Sequence, residues 1–313
     1  MSSPHELQLF SRAMKLMGNR FEISVVAADE LWANERIDEA VTEIQRIEEL
    51  LTTFKDSSQT NRINQNAGIA PVAVDREVFD LISRSVRISA LTQGAFDITY
   101  GSLDKRFWNF DTKMTSLPDP KVAKQSVSLI SYKNVILDNE RCTVFLKKSG
   151  MRIGFGGIGK GYAADRAKLV MQKNGVASGV VNASGDLTVW GKQPNGDSWT
   201  IGVANPDLAD ESFSSFKIDN ASVATSGNYE KFAVIDGKRY SHTIDPKTGF
   251  PVSGIKSVTI ITTSAELADA MATPVTVMGV KVGLNLINQM RDIACIIITD
   301  ENQLFCSSNV RIS

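Results

Sequence analysis

Residues 154–161 read GFGGIGKG and run directly into GYAADRAKLVMQKNG, a stretch with the composition of a helix. Glycines this dense let backbone N–H groups close on an anion, and the helix behind them presents the positive end of its dipole. The segment therefore predicts a loop-then-helix unit suited to phosphate. Gly154, Gly156 and Gly159 reproduce the G-x-G-x-x-G spacing of dinucleotide-binding folds, and Gly154, Gly159 and Lys160 reproduce the G-x-x-x-x-G-K of a P-loop. Each pattern lacks its next required residue. The P-loop places Ser or Thr directly after the lysine to reach Mg²⁺, and this chain has Gly161 there. The dinucleotide fingerprint needs an acid about 20 residues on, closing a second strand, and the first acid beyond Asp165 is Asp186. A tight turn that merely opens a helix satisfies the same residues.

The rest of the chain limits what that unit can belong to. With 313 residues, 42% of them hydrophobic, the chain is long enough to bury about three quarters of its unfolded surface without disulfides. Its 34 basic and 35 acidic residues leave a net charge of −1. That balance gives no electrostatic case for nucleic acid or an anionic membrane as the main partner, so any anion site is local. Cys142, Cys295 and Cys306 are odd in number and form no C-x-x-C pair, which favours a reducing compartment. MSSPHELQLFSRAMKLMG lacks the apolar core of a signal peptide, and no apolar run reaches the ~18 residues of a membrane span. The expectation is a cytoplasmic protein, or an exported one if the native chain carries a signal or lipid anchor ahead of this sequence.

Alternation over residues 20–28 predicts a strand, and Ile37, Val41, Ile44, Ile47 and Leu51 recur at the spacing of an amphipathic helix that ends near Phe54. KDSSQTNRINQNAG is poor in apolar residues and reads as a surface loop. It leads to Asp75, an N-cap for a helix through Leu91, with Gly94 as its stop. Paired strands near 134–147 precede the glycine loop, and strands dominate from Val176 to His242. SVTIITT predicts a strand, helices start from Ser264 and near Val280, and IACIIITD with QLFCSS predicts a closing hairpin. Strands and helices alternate without a regular βαβ period, so the predicted class is α+β with largely antiparallel sheets. The predicted organisation is an N-terminal extension over 1–18 and one domain over 19–313, built as one body or as two intimate halves.

Asp269 and Thr273 stand four residues apart in the helix that Ser264 opens, which places both oxygen-bearing side chains on one face. With a backbone carbonyl they make a set of hard oxygen donors suited to Mg²⁺; an ordinary solvated pair satisfies the same spacing. His242, one of two histidines, sits in YSHTIDPKTG just before a turn of Asp245, Pro246 and Gly249. Its imidazole suits a general base, a hydrogen bond to a bound base or flavin, or a structural role. His5, the other, is assigned no role. NASGD at 182–186 and ATSGNYE at 224–230 are further turns whose N–H and OH groups suit phosphate.

Taken in order, LMGNRF (16–21), TTFKDSSQTNRIN (52–64), GAFDIT (94–99), GGIGKGYAAD (156–165), NASGD, ATSGNYE, HTIDPKTG (242–249) and ADAMAT (268–273) resemble the ApbE-type family of FAD:protein FMN transferases. The resemblance covers nearly the whole chain. It implies an enzyme that splits the pyrophosphate of FAD, releases AMP and esterifies FMN through its phosphate to a threonine hydroxyl of an acceptor protein. It also implies Mg²⁺ held by the Asp269 and Thr273 side chains and the Gly157 carbonyl. The flavin nucleotide would lie near Met17, Phe54, Ala95, Phe96, Asp97, Lys160, His242 and Thr243, with the Phe54 ring stacking on the isoalloxazine or adenine. His242 and Asp269 are the residues implied in catalysis.

Three departures accompany the resemblance. Gly154 stands where the family commonly has Asp, NASGD carries Ala183 and Ser184 where a pair of glycines is usual, and no cysteine precedes Cys142 to take a lipid anchor. Rival readings are an FAD pyrophosphatase in which water replaces the threonine, a P-loop NTPase using IACIIITD as its Mg²⁺-binding strand, and a flavin-carrying module without catalysis.

Overall fold

The computed structural model describes residues 6–104, 106, 114–205, 208–227 and 232–310. His5 and residues 228–230 of the ATSGNYE turn lie outside them. The first half of the chain runs β1 (Gln8–Leu16), β2 (Asn19–Ala27), α1 (Glu30–Leu51), α2 (Gln59–Gln65), β3 (Val72–Ala73), α3 (Arg76–Leu91), α4 (Pro120–Ser126), β4 (Val135–Asp138) and β5 (Thr143–Leu146). There follow α5 (Gly159–Lys173), β6 (Gly179–Ala183), β7 (Asp186–Trp190), β8 (Trp199–Asn205), β9 (Leu208–Ile218), β10 (Ser222–Gly227), β11 (Phe232–Ile235) and β12 (Lys238–Ser241). The chain closes with β13 (Ile255–Thr262), α6 (Ala265–Asn288), β14 (Ile293–Thr299) and β15 (Leu304–Cys306).

Eight strands form the main sheet in the order β1-β2-β6-β7-β10-β13-β14-β15, and every pairing among the described residues is antiparallel. The α+β reading holds. α5 lies between α1 and α6 in packing, touching both, and all three helices lie against this sheet. Ile37, Ile44, Ile47 and Leu51 of α1 join Phe21, Ile23 and Val25 of β2 in the larger core, at the helical spacing read from the sequence. Ala268, Met271 and Val275 of α6 join Val258, Ile260 and Ile297 in a second. Among the described residues α6 is the one helix long and apolar enough to cross a membrane; here its buried face is the packing surface of that core. The two helices expected over this stretch are present as one span broken at Gly279, whose φ of 78° and ψ of 170° are not helical.

Two expectations are corrected. Residues 8–16, read as part of an extension, form the edge strand of the main sheet, paired with β2 from Gln8↔Ala27 to Leu16↔Asn19. The two are joined by Met17 and Gly18, both at positive φ, as a two-residue hairpin requires. The polar stretch 55–68, read as a surface loop, contains α2, in which Thr60, Asn61 and Asn64 are buried. Asn61 donates to the carbonyls of Thr53 and Lys55 (both 2.9 Å), while Asn64 donates to the Ile153 carbonyl (3.1 Å) and accepts from its N–H (2.8 Å). These side chains replace water as partners of loop backbone, so burial costs them little.

The N-termini of α5 and α6 meet at a junction that positions the glycine loop. Asp165 of α5 accepts from the Ser264 hydroxyl (2.8 Å) and from the N–H groups of Ala265 and Glu266 (both 3.0 Å). Asp269 of α6 in turn accepts from the Gly161 N–H at 3.0 Å. Each helix thus satisfies open donors of the other, in addition to the Ser264 cap on Leu267. The approach is so close that a Cβ on Gly161 would stand 2.1 Å from the Ala265 carbonyl oxygen and 2.9 Å from the Asp269 Cβ. A P-loop Ser or Thr has no room here. Moreover, β5 and β6 belong to different sheets, and β14 runs antiparallel to both its neighbours, so neither the dinucleotide nor the P-loop architecture is present.

Gly161→Ala is expected to destabilise the protein by about 3 kcal/mol, because the contact is with backbone and cannot relax by a rotamer change. Gly156→Ala, where no atom lies within 4 Å of the added carbon, should stay within about 0.5 kcal/mol of wild type in chemical denaturation.

Candidate active site

The glycine loop and the first turn of α5 carry open donors. The N–H groups of Ile158 and Gly159 bond to the Phe155 carbonyl, and that of Gly161 bonds to Asp269. Those of Gly156, Gly157 and Lys160 have no protein acceptor among the described residues. Three unpaired N–H groups at a helix start are a ready anion cradle. The loop that holds them is fixed at its entrance by Asn64 on Ile153 and by the Gly154 N–H on the Ile98 carbonyl (3.1 Å).

Beside the cradle, one ammonium faces two carboxylates. The Lys160 side chain, 24% exposed, donates to Asp186 in a short hydrogen bond, and its Nζ stands 3.7 Å from Asp269 Oδ1. Burial pushes the Asp269 carboxyl up to about 7, Lys160 opposing the rise and the charge of Asp186 adding to it. Asp186 is likewise raised by burial, against the pull of Lys160 and the smaller pull of the Thr225 backbone. For Lys160, burial works against the charge, but Asp269 and Asp186 outweigh it and its pKa is raised. The cluster is short of positive charge by one unit.

That deficit, with the donor chemistry, fits a hard cation. Asp269 supplies a buried carboxylate, and the hydroxyl of Thr273, one turn on, has no hydrogen-bond partner among the described residues, whereas Thr276 bonds back to the Ala272 carbonyl at 3.1 Å. Gly157 sits on the loop that leads to α5. Among the described residues no group of three or more His, Cys, Asp and Glu side chains could hold a metal, so a cation here depends on the hydroxyl and carbonyl oxygens that the sequence pattern singled out.

The other residues singled out stand in distinct settings, and Phe96 and Met17 lie against the glycine loop. Phe96 is buried with its ring 3.6 Å from the position of a Cβ on Gly157. Met17 is held at φ 50° by the hairpin and by its N–H on Glu48 (2.9 Å), and its methyl lies against Gly159. Ala95 is buried beside Phe96. Phe54 is 96% exposed, the most exposed large apolar side chain among the described residues, on the loop between α1 and α2. Asp97 is not part of the charge cluster. Its carboxylate accepts from the Thr99 N–H and hydroxyl and from the Tyr132 N–H, and burial raises its pKa against these bonds. It caps the short 3-10 helix Ile98–Ser102.

His242 projects from a loop tied down at several points. Its neighbours Ser241 and Thr243 are buried and bond to Val252 through their backbones, while the Ile244 N–H donates to the Tyr100 hydroxyl at 3.1 Å. Gly249, at φ 77°, lies so close to α4 that a Cβ would overlap the Ala123 carbonyl at 1.9 Å. The imidazole is exposed on a rigid support.

Comparison with known proteins decides the family. The sequence model of the ApbE family matches residues 17–297. The chain belongs to the ApbE family. It is 34% identical over 307 residues to the FAD:protein FMN transferase of Klebsiella pneumoniae (strain 342), covering 97% of this chain and 94% of that protein. The FAD:protein FMN transferase of Treponema pallidum is 29% identical, covering 96% and 87%. Among solved structures, the ApbE protein of Thermotoga maritima superposes with a TM-score of 0.85 at 30% identity, covering 96% of this chain and 97% of that one. The apo form of the flavinyl transferase ApbE of Pseudomonas stutzeri gives 0.83 at 25%, covering 96% and 95%.

The departures from the ApbE pattern have local readings. Nothing lies within 4 Å of a Cβ on Gly154, so its glycine is not demanded by packing. Ser184 stands at φ 59° in the β6–β7 hairpin, a conformation a glycine adopts more readily, and its neighbour Gly185 donates to Asn182 Oδ1 at 2.9 Å. Asp186, which follows, is the member of the cluster that sequence reasoning missed. Its signal was an acid closing a turn already recognised as phosphate-suited.

The raised Asp269 pKa has a consequence for the metal-free protein. The folded state binds this proton more tightly than the unfolded chain, so ionising it costs stability. Relative to Asp269→Asn, wild type should lose stability as pH rises from about 4 to about 7 and level off above. Urea denaturation of both proteins across that range checks the sign.

Proposed function

We propose that the protein is an FAD:protein FMN transferase, dependent on Mg²⁺, that moves FMN to a threonine hydroxyl of an acceptor protein. The observation that carries the reading is the Lys160–Asp269 pair set beside three open N–H groups at the start of α5. This is an arrangement for a pyrophosphate, and the relatives bearing the transferase name match along nearly the whole chain. Asp269, Thr273 and the Gly157 carbonyl would hold the cation, which supplies positive charge against the pyrophosphate when bound.

The N–H groups of Gly156, Gly157 and Lys160 orient the phosphates, and the Lys160 ammonium adds charge beside them. Phe54, exposed on its loop, offers a ring face to the flavin or adenine. The acceptor hydroxyl attacks the phosphorus on the FMN side, a P–O bond forms there, and the P–O bond to AMP breaks. His242 takes the hydroxyl proton; its exposure on a fixed loop lets a protein substrate reach it.

Two substitutions test these roles by single-turnover AMP release at saturating FAD, with the acceptor followed by intact mass. Asp269→Asn keeps an acceptor for the Gly161 N–H and should abolish the Mg²⁺-dependent rate while leaving circular dichroism unchanged. His242→Ala should slow transfer by roughly 10²–10⁴-fold with little change in FAD affinity. A His242→Ala rate within about threefold of wild type removes the general-base role.

A further inference from the structure

The carboxylate of Asp186 is buried where the fold does not need it. The β6–β7 hairpin is closed by the Ala183↔Asp186 pairing and by Asn182 on the Gly185 N–H, and neither involves that side chain. A buried carboxylate without a strong partner is costly, so its partner shows what it is for. Among the described residues its hydrogen-bond partner is the Lys160 ammonium, which makes its direct bond to Asp186 and stands 3.7 Å from Asp269, outside hydrogen-bond range.

We propose that Asp186 is a positioning residue for the transfer reaction, acting through Lys160. It draws the ammonium to the β7 side of the cluster and prevents it from closing on Asp269. Two groups are thereby kept available: the Oδ1 edge of Asp269, and the remaining N–H bonds of Lys160, which can turn toward a phosphate at the α5 N-terminus. Without Asp186, the ammonium would be left with Asp269 as its sole carboxylate and would form the tight pair that the observed geometry avoids. Such a pair would compete with both cation and nucleotide. The inference rests on the reading of this site as a flavin-nucleotide site. Asp186 touches neither ligand in this account, so its effect must vanish when Lys160 cannot respond.

A double-mutant cycle tests this with wild type, Asp186→Asn, Lys160→Met and the double variant. FAD dissociation constants are measured by flavin fluorescence, and Mg²⁺ affinity by calorimetry in the presence of AMP. Asp186→Asn keeps the shape and an acceptor for the Lys160 ammonium while removing the charge; chemical denaturation verifies that each variant is folded. In the wild-type background Asp186→Asn should weaken both affinities roughly tenfold, and in the Lys160→Met background by less than about twofold. Equal losses in the two backgrounds overturn the positioning role, as does an Asp186→Asn protein that binds both ligands as wild type does. Wild type that fails to bind FAD overturns the functional reading itself, and the positioning role with it; wild type that binds FAD with additive losses overturns the positioning role alone.

Discussion

The fold of this protein depends on the mutual capping of two helix N-termini. Asp165 on α5 takes the first N–H groups of α6, and Asp269 on α6 takes the Gly161 N–H of α5. Buried helix starts leave donors that must be satisfied, and here each helix supplies the acceptor for the other. The exchange is workable only at very short range, which Gly161 permits by having no side chain. The same geometry uses one oxygen of Asp269 and leaves the other facing Lys160, so a structural contact and the chemical centre share one carboxylate.

Electrostatics then give that junction its chemistry. Burial alone would neutralise Asp269 and Asp186, and one lysine is insufficient to hold both ionised. A site that is short of positive charge, set beside unpaired N–H donors, favours a ligand that brings its own cation together with phosphate oxygens. Rigidity comes from outside the centre. Asn64 anchors the loop entrance, Arg84 makes a two-point bond to Glu266 at the start of α6 (2.6 and 2.9 Å), and Tyr100 holds the His242 loop.

How much of this was legible in the sequence follows from the kind of signal each part leaves. α1 is readable because apolar residues at helical spacing report a buried face directly, and α3 because Asp75 and Gly94 mark its two ends. β1 is not, because an edge strand alternates between exposed and half-buried positions and leaves a weak pattern. α2 leaves no such signal, because its polar residues are not exposed: Asn61 and Asn64 are buried with their amides spent on loop backbone. Around the centre, Lys160 and Asp269 stood in recognisable motifs, yet nothing local in either announced that they approach each other across 109 positions. Asp186 joins them only through the register of the β6–β7 hairpin. Asp97 shows the converse: a motif acid whose carboxylate is committed to capping a short helix.

The central claim is that the α5–α6 junction is where the flavin nucleotide's phosphates bind. Amide hydrogen exchange with and without FAD and Mg²⁺ tests it most directly, since the open N–H groups of Gly156, Gly157 and Lys160 should become protected on binding. The account predicts slowed exchange in the peptide covering 154–162, together with the segment 265–273, on addition of both ligands. Unchanged exchange in these two segments, with protection appearing elsewhere in the chain, would contradict it.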